Sequence, residues 1–148
     1  MNLNYQGRLS VLAALIMMTT VSMGAKPAVP NPVLVLTSIE EFSSQGKSWT
    51  RYRYEIFNAA DYSNDLFAPA PALPPCGNNT RAARTWVTLY DDRGKQLNQF
   101  CSLGSKGDLN KIWFSLESGK LPPSWVYVEL NDRQTNQKYK SNLAETVQ

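Results

Sequence analysis

The clearest pattern in this chain is an alternation of apolar and polar side chains. In WTRYRYEIFN, residues 49–58, uncharged side chains at the even positions from 50 to 56 alternate with the charges of Arg51, Arg53 and Glu55. A period of two is typical of a β-strand that buries one face and exposes the other. A helix would scatter the same charges around its axis. The segment therefore predicts a strand.

The same alternation recurs along the rest of the chain. After a short β-branched run at Val33–Thr37, the predicted strands are TWVTLY, LNQFC, KIWFSLE, WVYVELN and KYKSNL. Two polar reversals, DDRGKQ and DRQTNQ, are typical of hairpin turns, and Gly94 in the first can take a positive φ. Outside the N-terminal segment, no window of a dozen residues follows helical spacing. About seven short strands with turns between them predict a single all-β, antiparallel β-sandwich over residues 33–148.

The N-terminal segment has a different composition. An apolar run from about Leu9 to Val21 follows Arg8, and small residues come after it. Roughly a dozen apolar residues are too few to span a bilayer but suit a secretory signal peptide. We expect a signal peptide at 1–25 and a proline-rich lead-in at 26–32; an uncleaved membrane anchor is the alternative. The sequence therefore predicts a periplasmic or secreted domain, with no stable membrane insertion once the signal is removed.

A proline-rich stretch at 67–76 ends on one of the two cysteines. Its prolines cannot donate to a ladder and favour polyproline II, so we expect an extended crossover from a strand ending near Phe57 to one beginning near Arg84. In an oxidising compartment, two cysteines predict one disulfide, Cys76–Cys101. A catalytic dithiol is the alternative, but the chain has no C-x-x-C spacing.

The closing hairpin carries a resemblance to known folds. In WVYVELNDRQTNQKYKSN, an aromatic-led alternating strand, a polar turn and a last strand containing serine follow one another. With the chain length and the number of strands, this hairpin resembles the immunoglobulin and fibronectin type III sandwiches. Cys76 follows prolines and does not fit the inter-sheet cysteine pair of antibody domains, so jelly-roll and other Greek-key sandwiches stay open. The resemblance implies a fold and not a function.

The composition removes several classes of chemistry. The chain contains no histidine and two cysteines, which excludes Ser-His-Asp and Cys-His catalysis in their common forms, together with the usual zinc sites. DYSND, residues 61–65, begins like a calcium loop, but Leu66 stands where that loop needs glycine, so we expect a polar turn. Asp91 and Asp92 are expected to cap a hairpin turn instead of acting as acid and base.

These exclusions leave binding as the expected activity. We expect no cofactor, no metal and no catalysis, and an enzyme that uses only carboxylates is the remaining catalytic alternative. The formal net charge of +3 comes without a long basic block. Nucleic acid is therefore not an expected partner.

Alternation also places aromatic side chains on the outward faces of the predicted strands. This candidate binding patch consists of Trp86, Tyr90, Trp113, Trp125 and Tyr127. If the strands share one sheet, the rings form an exposed surface to which Arg51, Arg53, Lys111 or Glu129 could add polar contacts. Packing of the same rings over core edges is the alternative.

The patch suggests two kinds of ligand. We expect a non-catalytic interaction or structural module that binds a protein or a cell-envelope component through a sheet face or an edge strand. The second hypothesis is a carbohydrate-binding module that stacks a glycan on the aromatic patch.

Overall fold

The computed structural model describes residues 28–76, 82–102 and 106–147. The predicted signal peptide at 1–25 lies outside them. The described residues contain β-strands and short 3₁₀ segments and no α-helix. The strands are β1 (Leu34–Ser44), β2 (Lys47–Ile56), β3 (Thr85–Asp91), β4 (Gln96–Cys101), β5 (Ile112–Glu117), β6 (Trp125–Asp132), β7 (Gln137–Lys140) and β8 (Ala144–Glu145), and the 3₁₀ segments are Ala59–Asp61, Asn64–Phe67 and Lys106–Asn110.

The strands form two antiparallel sheets. One has the order β1-β2-β5, and the other has the order β4-β3-β6-β7, with β8 also pairing with β6. The alternation predicted for β2 is confirmed, because Tyr52, Tyr54 and Ile56 are buried and the charged residues between them are half-buried. Inward side chains of both sheets meet in one core. The prediction of an all-β antiparallel protein is confirmed, and the fold is sandwich-like.

The 3₁₀ segments complete the core at one end of the sheets. Tyr62, Leu66 and Leu109 are buried and join the cluster formed by the two sheets. The Ser63 side chain accepts a hydrogen bond from the backbone N–H of Asp65 at 3.2 Å, so DYSND forms a polar turn as predicted. The Tyr62 hydroxyl donates to the Pro30 carbonyl at 2.9 Å. This bond fastens the proline-rich lead-in to the domain.

Strand β1 is longer than the predicted run Val33–Thr37. It passes a bulge between Leu36 and Ser38 and continues to Ser44. Gln45 and Gly46 then turn the chain into β2, with φ angles of 52° and 74°. Two positive φ angles are what a type I′ hairpin turn requires. The bulge moves later side chains to the opposite face, so the period of two is broken where the strand continues.

The proline-rich stretch is a connection and not a central strand, as predicted, but it is not a straight crossover. Its backbone bends where the Leu73 N–H donates to the Ala70 carbonyl at 2.9 Å. The Ala70 N–H donates in turn to the Ala82 carbonyl at 2.9 Å, beside an isolated bridge between Pro69 and Ala83. The alanines between the prolines keep their N–H groups, so the segment can pair with the chain that returns beside it.

Two asparagine side chains join the sheets at their edges. Asn142, between β7 and β8, accepts from the Leu34 N–H at 2.8 Å and donates to the Leu34 carbonyl at 3.1 Å. Asn98 on β4 donates to the Trp113 carbonyl on β5 at 2.7 Å. Each side-chain amide forms hydrogen bonds with backbone groups that a neighbouring strand could otherwise bond. The bonds therefore occupy edge backbone groups that another chain could otherwise pair with.

Candidate functional site

The structure divides the predicted aromatic patch between the two sheets. Trp86 and Tyr90 on β3, and Trp125 and Tyr127 on β6, lie on the outward face of the five-stranded sheet. Trp113 lies on β5, in the three-stranded sheet. The five rings therefore do not form one surface.

Tyr90 and Tyr127 form the centre of the five-stranded face. They are directly opposed on β3 and β6, and their rings stack with centroids 5.2 Å apart and planes inclined by 22°. The Lys140 ammonium lies 3.9 Å from the Tyr127 centroid. Because β3 and β7 flank β6 on opposite sides, Tyr127 has a ring on one side and a cation on the other.

Burial, followed by the neighbouring Tyr90, raises the pKa of Tyr127 above its ordinary value. The hydroxyl is therefore protonated at neutral pH and can donate a hydrogen bond. Glu129, two residues along β6, forms an ion pair with Lys138 at 3.0 Å. The face thus presents aromatic edges and hydroxyls beside paired charges.

Trp125 is the open aromatic side chain of this face. It lies two residues before Tyr127, on the same side of β6, and 39% of it is exposed. Among the described residues, no ring stacks on Trp125 and no cation lies over it. With the Tyr90–Tyr127 stack and Lys140 it forms a continuous surface, which we call the tyrosine face.

Trp86 packs against the disulfide instead of joining the tyrosine face. It contacts the buried cluster of Cys76, Ala83 and Cys101, and the Arg133 guanidinium lies 5.9 Å from its ring centroid. Arg133 also donates to the carbonyls of Ala83 at 2.9 Å and Pro74 at 2.7 Å. Trp86 therefore packs over a core edge, which was the alternative to a place in an exposed binding patch.

The predicted disulfide is present. Cys76 and Cys101 are bonded, with Cα atoms 6.1 Å apart and a sequence separation of 25. Cys101 is the last residue of β4. The bond therefore fixes the end of the proline-rich stretch to an edge strand of the five-stranded sheet, as the sequence predicts.

A buried ion pair lies close to the disulfide. Arg84 donates to both carboxylate oxygens of Asp132, at 3.0 Å and 2.7 Å. Asp132 also accepts from the Gln134 N–H and the Thr135 hydroxyl. Burial by itself would raise the pKa of Asp132, but the hydrogen bonds from Arg84 and Thr135 outweigh it and lower the pKa. The carboxylate stays charged and fully bonded, so it holds strands together and is not available as a base.

The acidic pair Asp91 and Asp92 borders a cleft of about 430 Å³ at the opposite end of the sheets. The Asp91 carboxylate accepts from the N–H groups of Arg93 at 3.0 Å and Lys95 at 2.8 Å. Asp91 therefore caps the β3–β4 turn, as predicted. In the described parts of the chain, cysteine and acidic side chains form no group of three or more that could hold a metal ion.

Trp113 has a different environment on the three-stranded sheet. It is 39% exposed, and the Arg51 guanidinium lies 4.9 Å from its ring centroid. Arg51 also lies 4.4 Å from the ring of Phe42 on β1. Sequence reasoning missed Phe42, because the bulge in β1 hides the alternation that would have placed it on this face.

Comparisons with known proteins do not identify the chain. Within the described residues, no helix is long and apolar enough to cross a membrane. The chain matches no known protein family, no curated protein and no solved structure.

Proposed function

We propose that this chain is an exported, non-catalytic binding module that holds a protein partner on the tyrosine face. The observation that carries the proposal is the exposed Trp125 beside the Tyr90–Tyr127 stack. Aromatic side chains that are already packed lose little conformational freedom on binding, and Trp and Tyr are enriched among interface hot spots. The apolar N-terminal run and the disulfide support export to an oxidising compartment.

The order of the strands supports an immunoglobulin-like grouping. The first, second and fifth strands form one sheet, and the fourth, third, sixth and seventh form the other. Immunoglobulin-type sandwiches place strands A, B and E together, and place strands C, F and G, with an added C′ in some domains, in the facing sheet. The closing hairpin β6–β7 corresponds to F and G in that scheme. This likeness concerns fold, and the binding proposal rests on the tyrosine face alone.

The packing of the rings favours a protein over a glycan. Sugars stack on the open faces of aromatic rings, whereas Tyr127 is covered by Tyr90 on one side and Lys140 on the other. Around Tyr127, the groups that a partner can contact are the ring edges and hydroxyls of the two tyrosines and the Lys140 ammonium. These groups suit the mixed apolar and polar surface of another protein. Trp125 is 39% exposed and none of the described rings or cations lies over it, which is the observation that favours a carbohydrate-binding module as the second candidate.

The test is capture of a partner from the native envelope or medium by the mature chain and two matched variants. Trp125→Ala removes the anchor of the tyrosine face, and Trp113→Ala removes an equally exposed tryptophan from the opposite sheet. We expect Trp125→Ala to reduce capture of one specific protein by at least about tenfold, because truncation of an aromatic hot spot costs 2 kcal/mol or more. Trp113→Ala should leave that capture unchanged.

Three outcomes would overturn the proposal. Equal capture by Trp125→Ala and the unchanged chain would mean that the tyrosine face is ordinary surface packing. Capture lost with Trp113→Ala alone would move the binding surface to the other sheet. Quenching of Trp125 fluorescence by a polysaccharide, without a protein partner, would favour the carbohydrate-binding alternative.

A further inference from the structure

A second surface, on the outward face of the three-stranded sheet, centres on Arg51. Its guanidinium lies between two aromatic rings, 4.4 Å from the Phe42 centroid and 4.9 Å from the Trp113 centroid. Phe42 is on β1 and Trp113 is on β5, the strands on either side of β2. The rings therefore hold the cation from both sides. A guanidinium held in this way loses little freedom when it binds a ligand.

Two cations near Arg51 form ion pairs, and Arg51 does not. Arg53 pairs with Glu40 at 3.0 Å, and Lys47 pairs with Glu117 at 3.2 Å. In the described part of the chain, Arg51 takes part in no ion pair and donates no hydrogen bond. Glu40 lies directly opposite Arg51 on β1, and its pKa is lowered chiefly by the hydrogen bond from Arg53 and also by the charge of Arg51. Arg51 is therefore a cation that has an acidic neighbour but no ion-pair or hydrogen-bond partner of its own among the described residues.

Two buried polar atoms show that water has poor access around this cation. The Arg51 Nε and the Ser115 Oγ are buried and have no hydrogen-bond partner among the described residues. Ser115 is directly opposite Arg51 across β2 and β5. An under-solvated cation gains more from meeting an anion than a fully hydrated one, because less water has to be displaced and the local dielectric is lower. The site therefore favours an anionic ligand.

We propose that Arg51 binds a carboxylate carried by an acidic side chain of a protein partner. The planar guanidinium matches a carboxylate in shape and can donate two parallel hydrogen bonds to it. The rings of Phe42 and Trp113 exclude water around that contact, as the surroundings of a hot spot do.

The neighbouring charges favour one carboxylate over a phosphate or an acidic sugar. A phosphate dianion would meet one free cation and the carboxylates of Glu40 and Glu117. Those glutamates lie on strands β1 and β5, on either side of β2. A sugar would need an open ring face, whereas Phe42 and Trp113 each turn a face to Arg51. A single carboxylate on a peptide carries one negative charge instead of two, so these glutamates repel it less, and it needs no open ring face.

This carboxylate site lies on the opposite sheet from the tyrosine face and does not depend on it. If both surfaces bind, the module can hold two different partners at once. Failure of one proposal leaves the other standing, because Trp125 and Arg51 are on different sheets and can be changed separately.

The test follows side-chain NMR signals of the mature chain during a titration. The probes are a hexapeptide of alternating Glu and Gly that is acetylated at its N-terminus and amidated at its C-terminus, the same peptide with Gln in place of Glu, and inorganic phosphate. We expect the Glu peptide to shift the Arg51 Nε–H and Trp113 indole N–H signals, and the Gln peptide to shift neither. Added salt should weaken the binding, because it screens the charges.

Variants show whether Arg51 supplies the contact. Arg51→Gln should weaken binding of the Glu peptide by about tenfold. Arg51→Lys keeps the positive charge but lacks the two parallel N–H donors of the guanidinium, so it should weaken binding by several-fold. Lys95→Gln removes an exposed cation from the β3–β4 turn of the other sheet and should change nothing. Arg51→Lys also serves as a control for folding, because lysine preserves the long apolar part of the side chain and the positive charge.

Three results would overturn the proposal. One is equal binding of the Glu and Gln peptides, and another is unchanged binding by Arg51→Gln. The third is a response to phosphate at least as strong as the response to the Glu peptide, which would indicate a general anion site instead of a carboxylate site.

Discussion

The two ends of the sheets are held together by different means. At the disulfide end, the Cys76–Cys101 bond, the buried Arg84–Asp132 pair and Arg133 connect segments that are distant in sequence. At the hairpin end, where β3 turns into β4 and the segment 118–124 leads to β6, the long-range links are single hydrogen bonds, such as those from the Ser118 N–H to the Ser48 carbonyl at 2.9 Å and from the Thr146 hydroxyl to the Pro123 carbonyl. There the Asp91 carboxylate caps its own turn, and the Gly94 N–H donates to the Asp91 carbonyl at 3.0 Å.

The difference follows from what each connection can do for itself. A short polar turn satisfies its own backbone groups and needs no long-range link. A proline-rich connection has few N–H groups and forms no ladder of its own, so side chains and a covalent bond must hold it. Changes at the disulfide end should therefore destabilise the fold much more than changes at the hairpin end.

The largest effect is expected from removing the disulfide. Replacing both cysteines by alanine should lower the free energy of unfolding by about 3.5 kcal/mol, because a loop of this length is no longer closed in the unfolded chain. Urea unfolding of the oxidised protein and of the double variant measures the loss. A change below 1 kcal/mol would mean that Arg133 and Trp86 hold the proline-rich stretch without the covalent bond.

Breaking the buried ion pair should have the next largest effect. Asp132 is 1% exposed, and Asp132→Ala leaves the Arg84 guanidinium and two further donors without their acceptor. We expect a loss of about 3 kcal/mol, at the lower end of the range for buried pairs because Arg84 keeps some contact with water. The control is Glu117→Gln, which breaks exposed pairs with Lys47 and Lys120 and should cost less than about 0.5 kcal/mol.

The same pair predicts a dependence on pH. The folded state lowers the pKa of Asp132 below its ordinary value of 3.8, so the pair stabilises the fold fully above that value. The stabilisation is lost as pH falls below 3.8 and through the lowered pKa of the folded state. The difference in stability between the unchanged protein and Asp132→Ala should therefore be constant from pH 7 to 5 and shrink below pH 4. A difference that stays constant to pH 2 would contradict a role for the carboxylate charge.

A smaller effect is expected at the hairpin end. Asp91→Ala removes two hydrogen bonds within one turn and should cost about 1 kcal/mol. Asp91→Asn keeps an acceptor and should cost less than the alanine variant. Thermal unfolding of both variants compares this end with the other. A loss equal to that of Asp132→Ala would remove the distinction between the two ends.

The smallest effect is expected at Leu121, in the segment that leads to β6. Its side chain is 94% exposed, so Leu121→Ser should change the free energy of unfolding by less than about 0.5 kcal/mol. Because a single exposed leucine is common on protein surfaces, we expect no change in solubility either. A loss above 1 kcal/mol would show that Leu121 packs against the cleft beside Asp91 and that the hairpin end also depends on long-range contacts.

Much of the fold could be predicted because alternation is a local property. Four strands bury one face each, so a period of two in the sequence predicts them: β2, β3, β5 and β6. The second half of β1 could not be recognised in this way, since the bulge after Leu36 reverses the face on which each later side chain lies. The 3₁₀ segments also escaped prediction, because three to five residues are too short for a period to show.

The candidate sites were harder to predict, because alternation says which side of a strand a residue faces but not which sheet the strand joins. Trp113 and Trp125 have similar local patterns and lie in different sheets. The role of Arg51 depends on Phe42 and Trp113, which come from strands far apart in sequence. Such cross-strand contacts depend on the order of the strands in each sheet, and no single segment of the sequence specifies that order.

The amide link between Asn142 and Leu34 has a mechanical consequence. It joins the first strand to the edge formed by the last two, and β1 and β8 are in contact. The described residues begin and end at opposite ends of the sheets, because Ala28 lies beside Arg84 and Asp132, whereas the Thr146 hydroxyl donates to the Pro123 carbonyl just before β6. Under tension between those ends, the two hydrogen bonds of Asn142 share the load with the bonds from Tyr62 to Pro30 and from Thr146 to Pro123, which lie nearer to the ends. Loss of the Asn142 link would remove both side-chain hydrogen bonds between Leu34 on β1 and the segment that joins β7 to β8.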